Sequence, residues 1–465
     1  MKRRTIARAT PSWFDKLTMK APATLRAFLV RVLKDARIEN RLYDRPMRSI
    51  VRACLASVRL TLAIVAAMPL ARAEIPLPAD IALAPTASTS SAESAFLGVW
   101  AHDAWSESRP AAIVVQAGAE PGTLRVTHAY DRDRWRPFPA GFHDSPGRLV
   151  DGALVSDLSP TVTARYRLLP DGRLFGRLER RGTWHDVRYV ILERLPAERR
   201  RAALTDTDAR PWRMVDIPMT DPDTGRPIAL KATYYPASVP GPAPLLVMGH
   251  GDVTPGYDGL VQRHGELARL FVSRGWAVLE MMRRGTGGSG GALLPEFRPD
   301  GPITAAYGDQ RMAADIADVD AVLAAVRTWP GIDASRILLG GQSRGGLVAI
   351  EYLAARPNAA LGAINFAGGG WCERDEQAFL QGRYTLDRFA RAGASIRKPT
   401  LWLYGDNDHC FSAPFIRRWF DAYRAAGGTG DLLIVSSVPG DGHGLVAHAD
   451  FWERRIRDML RRLTP

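Results

Sequence analysis

RILLGGQSRGGLVAIEYLAARP, residues 336–357, is the stretch on which the reading of this chain turns. An apolar run of strand type, Ile337 to Leu339, enters Gly341-Gln342-Ser343-Arg344-Gly345, and a helical pattern follows from Gly345 to Ala355. Where a strand turns sharply into a helix, a Cβ on either side of the turn collides with a neighbour, so Gly341 and Gly345 flank the serine. The turn holds the Ser343 hydroxyl at a helix N-terminus, where N–H groups and the helix dipole favour developing negative charge. G-x-S-x-G in a strand-turn-helix context is the pattern of a nucleophilic serine. Gly287-Gly288-Ser289-Gly290-Gly291 fits the same expression. No strand leads directly into it and Leu293-Leu294-Pro295 follows, so it reads as a loop.

A hydroxyl nucleophile needs a base and the base an orienting acid, which with this elbow come after the serine in the order acid, histidine. Thr400 to Tyr404 is strand-like and runs into Gly405-Asp406-Asn407-Asp408. Asp408 is the expected acid; Asp406 is its rival, with local turn bonding as its ordinary role. His443 lies in Pro439-Gly440-Asp441-Gly442-His443-Gly444, a glycine-rich loop after the strand-like Leu432 to Val435, and is the expected base. His409 and His448 are read as ordinary surface or core histidines. Two backbone N–H groups should receive the oxyanion. One is that of Arg344; the other comes from the loop Gly249-His250-Gly251-Asp252, with Asp252 favoured and Gly251 the alternative. His250 reads as a structural loop residue.

Around these motifs, strand-like runs (Leu245 to Met248, Ala277 to Met281, Ile337 to Leu339, Ala363 to Phe366, Thr400 to Tyr404, Leu432 to Val435) alternate with helical patterns (Leu260 to Arg274, Arg311 to Thr328, Gly345 to Ala355, Ala413 to Ala426, Asp450 to Leu463). Alternation of this kind predicts an α/β fold, a mostly parallel sheet with helices on both faces over residues 213–465. Arg213 to Pro218 and Ile228 to Tyr235 would add an antiparallel pair at its edge. Residues 96–194 instead carry short alternating runs (Ala111 to Gln116, Thr123 to Tyr130, Val162 to Leu169, Arg173 to Glu179, Val187 to Leu192), with Asp171-Gly172 as a hairpin turn. They predict a small antiparallel β domain in front, joined by a charged connector over residues 195–212.

The net charge is +13, yet of 62 Lys+Arg and 49 Asp+Glu, 16 and 4 fall in residues 1–73, leaving 46 against 45 elsewhere. Nucleic-acid binding requires a clustered positive face, and the neutral remainder excludes it. The basic segment Met47 to Arg52 leads into an apolar run, Leu60 to Met68, that ends at Ala71-Arg72-Ala73. Those are the three parts of a signal peptide, residues 47–73, cleaved before Glu74. The run is too short for a stable membrane span, so export to the periplasm or the medium is expected. Residues 1–46 would stand upstream of a complete signal, which makes Met47 a candidate start, and residues 74–95, rich in Ala, Pro, Ser and Thr, read as a linker. Of three cysteines, Cys54 lies in the signal, and Cys372 and Cys410 remain.

Taken together, the HGD loop, Arg283-Arg284-Gly285-Thr286-Gly287-Gly288-Ser289, the passage DVDAVLAAVRTWPGIDASRILLGGQSRGG (318–346), GDND and DGHG resemble the α/β-hydrolase superfamily, in its dienelactone hydrolase-like and prolyl oligopeptidase-like branches. The resemblance covers residues 213–465. It implies hydrolysis of a small ester through an acyl-enzyme, with Ser343, Asp408 and His443 as catalytic triad and no cofactor. The chain departs from the typical dienelactone hydrolase in using serine for cysteine and in carrying a β domain in front. Cys372 would lie just beyond one strand of the sheet and Cys410 just beyond the acid loop on its neighbour; a disulfide between them is expected, bracing Trp371 to Arg397, with free thiols as the alternative. No cluster of histidines and carboxylates shows metal-ligand spacing along the chain, so no metal is expected. Two other readings compete with the exported esterase. One is a prolyl oligopeptidase-type peptidase, for which 100 residues are too few to make a propeller; the other is an inert binding protein that kept the fold. Oligomeric state is not encoded in any motif.

Overall fold

In the computed structural model the described residues are 75–81 and 91–463, apart from 106, 121, 134–136, 183–184, 197–198, 201–203, 205, 207, 254–260, 295–303 and 373–382. The expected upstream extension, the signal peptide and part of the linker (74 and 82–90) lie outside them.

Eight strands open the described chain: β1 (Gly98–Trp105), β2 (Arg109–Ala117), β3 (Leu124–Tyr130), β4 (Gly141–Val150), β5 (Ala153–Ser159), β6 (Val162–Leu168), β7 (Leu174–Arg180) and β8 (Asp186–Arg194). Each pairs antiparallel with the next, and β1 pairs with β8, so the sheet closes into a barrel. Closure removes the exposed edges that an open sheet of this size would carry. The interior is filled by Trp100, Ile113, Val126, Leu154, Tyr166 and Leu192. Polar groups are buried there as well: Ser145 bonds Ser156, and His128 lies between the Tyr166 hydroxyl at 3.0 Å and the Ser156 hydroxyl at 3.1 Å. Burial there lowers its pKa to about 3, so the ring is neutral. The outer face of β1–β3 is covered by Ile75, Leu195 and Leu204.

The second sheet has the order β16-β15-β14-β13-β11-β12-β10-β9. Its strands are β9 (Arg213–Thr220), β10 (Pro227–Tyr235), β11 (Ala243–Gly249), β12 (Ala277–Met281), β13 (Ile332–Gln342), β14 (Ala363–Phe366), β15 (Thr400–Gly405) and β16 (Gly430–Val435). The helices are α1 (Gly265–Val272), α2 (Ala305–Val326), α3 (Arg344–Ala355), α4 (Tyr384–Ser395), α5 (Ala413–Ala425) and α6 (Ala449–Leu463). Along β11 the side chains alternate between the two faces, Leu245 and Val247 joining one core and Leu246 and Met248 the other. The first core is completed by α2 to α5. The second is shared: α1 and α6 pack there beside Phe175, Val187, Tyr189 and Ile191 from the outside of the barrel.

This architecture corrects the expected fold class. The sheet is mixed rather than mostly parallel, because β9 and β10 form a hairpin, which can pair only antiparallel, and β10 then docks antiparallel on β12. Its second face is not a layer of helices, since the barrel occupies part of it. The front element is a closed barrel of eight strands, where the alternation suggested five. The strands not anticipated are β1, which is broken by a register shift between Trp100 and Asp103, and β4 and β5, of which β4 faces largely outward and contains Gly141, Asp144, Pro146 and Gly147. Helix α4 was not anticipated either.

A buried ion pair joins barrel and sheet. Arg269 of α1 donates from Nε and Nη2 to Asp103 of β1 at 2.7 and 2.6 Å, and Asp103 also accepts the Ile191 N–H at 2.7 Å. Arg173 reaches the Pro236 and Ala237 carbonyls, and Arg177 reaches Glu453 of α6.

Candidate active site

Strand β13 is central in the sheet, and Ser343 stands where it passes into α3. The serine adopts φ +54° and ψ −123°, a left-handed conformation that side chains rarely take. It is pinned by its own N–H, which donates to the Phe366 carbonyl at 2.8 Å, and by the carbonyl, which accepts from Gly346. A Cβ on Gly341 would sit 2.1 Å from the Gly345 backbone, and one on Gly345 would sit 2.4 Å from the Gly249 carbonyl oxygen. The two glycines therefore let β13, α3 and the end of β11 approach one another.

His443 Nε2 lies 2.9 Å from Ser343 Oγ, and His443 Nδ1 lies 3.1 Å from each carboxylate oxygen of Asp408. In that arrangement the Nδ1–H donates to Asp408 and Nε2 accepts from the serine. The Asp408 carboxylate is fully buried and also accepts the N–H groups of Cys410 and Phe411 at 2.8 and 3.0 Å. His443 opens a 3₁₀ turn, Gly442–Ala447, whose cap is the Asp441 side chain, accepting the His443 N–H at 3.0 Å. Gln342 donates to the His443 carbonyl at 3.1 Å, tying the His443 loop to the turn at Ser343. Burial pushes the Asp441 carboxyl up, but the N–H groups of His443 and His409 and the His409 ring outweigh it and hold it below the usual range.

The other histidines and the rival residues have local partners. Asp406 accepts the Ser437 N–H at 3.1 Å. His409 is exposed and bonds Asp441. Ser289 accepts from Lys231 N–H and donates to the Met282 carbonyl, bracing its loop. Cys372 and Cys410 are joined in a disulfide. It ties the segment after β14 to the residue whose N–H bonds Asp408.

The loop after β11 is held from behind. Arg283 donates from Nη1 to the His250 carbonyl at 2.7 Å and from Nη2 to the Gly251 carbonyl at 2.8 Å. His250, buried and held neutral by burial and by Arg283, donates from Nδ1 to the Gly251 carbonyl and accepts the Arg283 N–H on Nε2. In a trans peptide the N–H points opposite the carbonyl. Fixing the His250 and Gly251 carbonyls therefore fixes the Gly251 and Asp252 N–H groups, and Gly251 is adjacent to the serine, since a Cβ on it would sit 3.1 Å from Ser343 Cβ. The Arg344 N–H is in the first turn of α3, where no intrahelical acceptor exists. Around this loop three guanidinium groups, of Arg283, Arg311 and Arg344, meet two carboxylates, of Asp252 and Asp315. Burial would raise the Asp252 carboxyl, but Arg311, Arg344 and Arg283 hold it below the usual range. The surplus positive charge beside Ser343 favours an anion there. Arg283 stood in the sequence in a motif quoted for its resemblance, with no role; its partners lie on two loops and a helix that spacing does not bring together. A cavity of about 20 Å³ beneath the elbow, lined by Gly249, Arg283, Asp315 and Gly345, has room for a water and not for an ester.

No family model matches the sequence, and no curated protein matches it. Solved structures similar to part of it include the esterase Pf2001 of Pyrococcus furiosus (16% identity, 54% of this chain and 90% of that one, TM-score 0.39). Est1E of Butyrivibrio proteoclasticus with ferulic acid bound is similar at 16% identity, over 53% of this chain and 99% of that one, with TM-score 0.39. Acetyl xylan esterase 1 of a Thermoanaerobacterium species is similar at 16% identity, over 55% and 84%, with TM-score 0.38. These neighbours are esterases at low identity and partial coverage, and a likeness of this degree carries neither a family nor a reaction to this chain. Among the described residues, no helix is long and apolar enough to cross a membrane.

Proposed function

We propose that this chain is an exported serine hydrolase that cleaves small carboxylic esters through an acyl-enzyme. The observation that carries this reading is the continuous chain Ser343 Oγ, His443 Nε2, His443 Nδ1, Asp408 on a strained turn. Ser343 Oγ attacks the ester carbonyl as its proton passes to His443 Nε2. Asp408 orients the imidazole and stabilises the imidazolium. The N–H of Arg344 and that of Asp252 or Gly251 receive the oxyanion. Collapse expels the alcohol, which takes the proton from His443, and water reverses the sequence to release the acid. The disulfide and the signal-like residues 47–73 support export. The peptidase reading loses ground because the front element is one barrel and not a ring of blades.

The test is hydrolysis of p-nitrophenyl esters of increasing acyl length by the full chain and by its Ser343→Ala variant, with a proline-containing peptide amide alongside. Ester turnover that falls by about 10⁴ or more in the variant is the expected result. Activity that survives the substitution, or appears on the amide alone, overturns the reading.

A further inference from the structure

At the rim of the barrel, the start of β8 meets the start of α6, and side chains from distant parts of the chain converge. One carboxylate oxygen of Asp186, one of Asp450 and one ring nitrogen of His448 all lie within 4.8 Å of one another. His185 stands beside them, with Nδ1 3.4 Å from Asp450 Oδ2 and Nε2 3.3 Å from Glu179. The Asp450 side chain is only 5% exposed, and its Oδ1 has no hydrogen-bond partner among the described residues. A buried carboxylate oxygen without a donor has left water with no hydrogen bond to offset the loss. Arg188 does not relieve it: its Nε donates to Asp186 Oδ2 at 3.0 Å and its Nη1 to the Ala447 carbonyl at 3.3 Å.

We propose that Asp186, His448 and Asp450 hold a divalent transition metal ion, Zn²⁺ by ligand class, at the seam between the barrel and the second sheet. One imidazole nitrogen with two carboxylate oxygens is a zinc ligand set, and bond lengths near 2.0–2.2 Å require the three to draw together by about 1 Å. Water, or His185 after it turns from Glu179, fills the fourth position. The ion supplies the partner that Asp450 Oδ1 lacks. Its role is structural: it ties β8 to the junction between α6 and the 3₁₀ turn that contains His443. The other clusters with ligand-type side chains are committed elsewhere, since Cys372 and Cys410 are in the disulfide and Asp408 with His443 belongs to the candidate active site.

The experiment is calorimetric titration of Zn²⁺ into the chelator-stripped full chain, with thermal unfolding followed in parallel. The expected result is one equivalent bound and a Tm raised by a few degrees, with affinity reduced at least tenfold in Asp450→Asn and in His448→Ala, and unchanged in His409→Ala, which removes a histidine near the other clusters. Circular dichroism establishes that the variants are folded, and His185→Ala with Asp186→Asn gives the same reading if either is not. No uptake of Zn²⁺, uptake of Ca²⁺ alone, or undiminished uptake in folded variants overturns the proposal.

Discussion

Arg269 grips Asp103 through two hydrogen bonds of 2.7 and 2.6 Å, with both side chains wholly withdrawn from solvent. One comes from helix α1 beside the second sheet, the other from the first strand of the barrel. Removing Asp103 leaves the buried Arg269 with only the partly exposed Glu107, at 2.6 Å, and leaves the Ile191 N–H without its acceptor. Asp103→Ala is therefore expected to destabilise the fold by about 3–5 kcal/mol, read by denaturant unfolding. Barrel and sheet are expected to unfold together, and two separate transitions would show that the pair does not couple them.

Arg283 touches no reacting atom and acts as a positioning residue through two carbonyls. Arg283→Met is expected to lower kcat by about 10²–10³ while leaving KM within a few-fold, the signature of a displaced oxyanion donor. A rise in KM alone would place Arg283 in substrate binding instead.

Stability should depend on pH through two buried groups with opposite signs. Burial raises Glu266 from 4.5 to about 7, so the folded state binds the extra proton and stability falls as pH rises between about 4.5 and 7. Burial lowers His128 from 6.5 to about 3, so the unfolded state binds the extra proton and stability falls as pH drops from about 6.5 to 3. Between 4.5 and 6.5 the two slopes oppose each other. Glu266→Gln should steepen the fall in stability toward acid, to which the buried His128 and His250 both contribute, in unfolding measured across that window. An unchanged profile would mean that Glu266 is not proton-linked to folding.

The Cys372–Cys410 disulfide closes a loop of 38 residues. Cys372→Ser with Cys410→Ser is expected to cost about 2–4 kcal/mol. Because the Cys410 N–H bonds Asp408, turnover should fall as well. Urea unfolding and ester kinetics on the same preparation check both.

Local chemistry made part of the molecule readable from its sequence. The elbow was legible because Gly341, Ser343 and Gly345 must be close in sequence to be close in space, and the parallel strands of 213–465 were legible because most carry a short apolar run, while β9 and β10 alternate instead. Asp408 and His443 followed from their loops. The barrel was half legible: β1 bends at His102, whose φ is +77°, and the outward face of β4 is solvated, so neither shows clean alternation. Closure by β1 and β8 joins residues almost a hundred positions apart, as the Arg283 contacts and the Asp186 to Asp450 cluster join distant segments. Periodicity has no access to any of these.

The shared core of Phe175, Tyr189, Leu267, Trp452 and Ile456 bears on how the chain is made. Synthesis runs from the N-terminus, so the barrel strands emerge first with Phe175 and Tyr189 uncovered, and their cover is completed only when α6 leaves the ribosome. A chain truncated before α6 would bare that apolar surface on both halves. Such a chain should be lost to aggregation or proteolysis before any defect in chemistry could be seen.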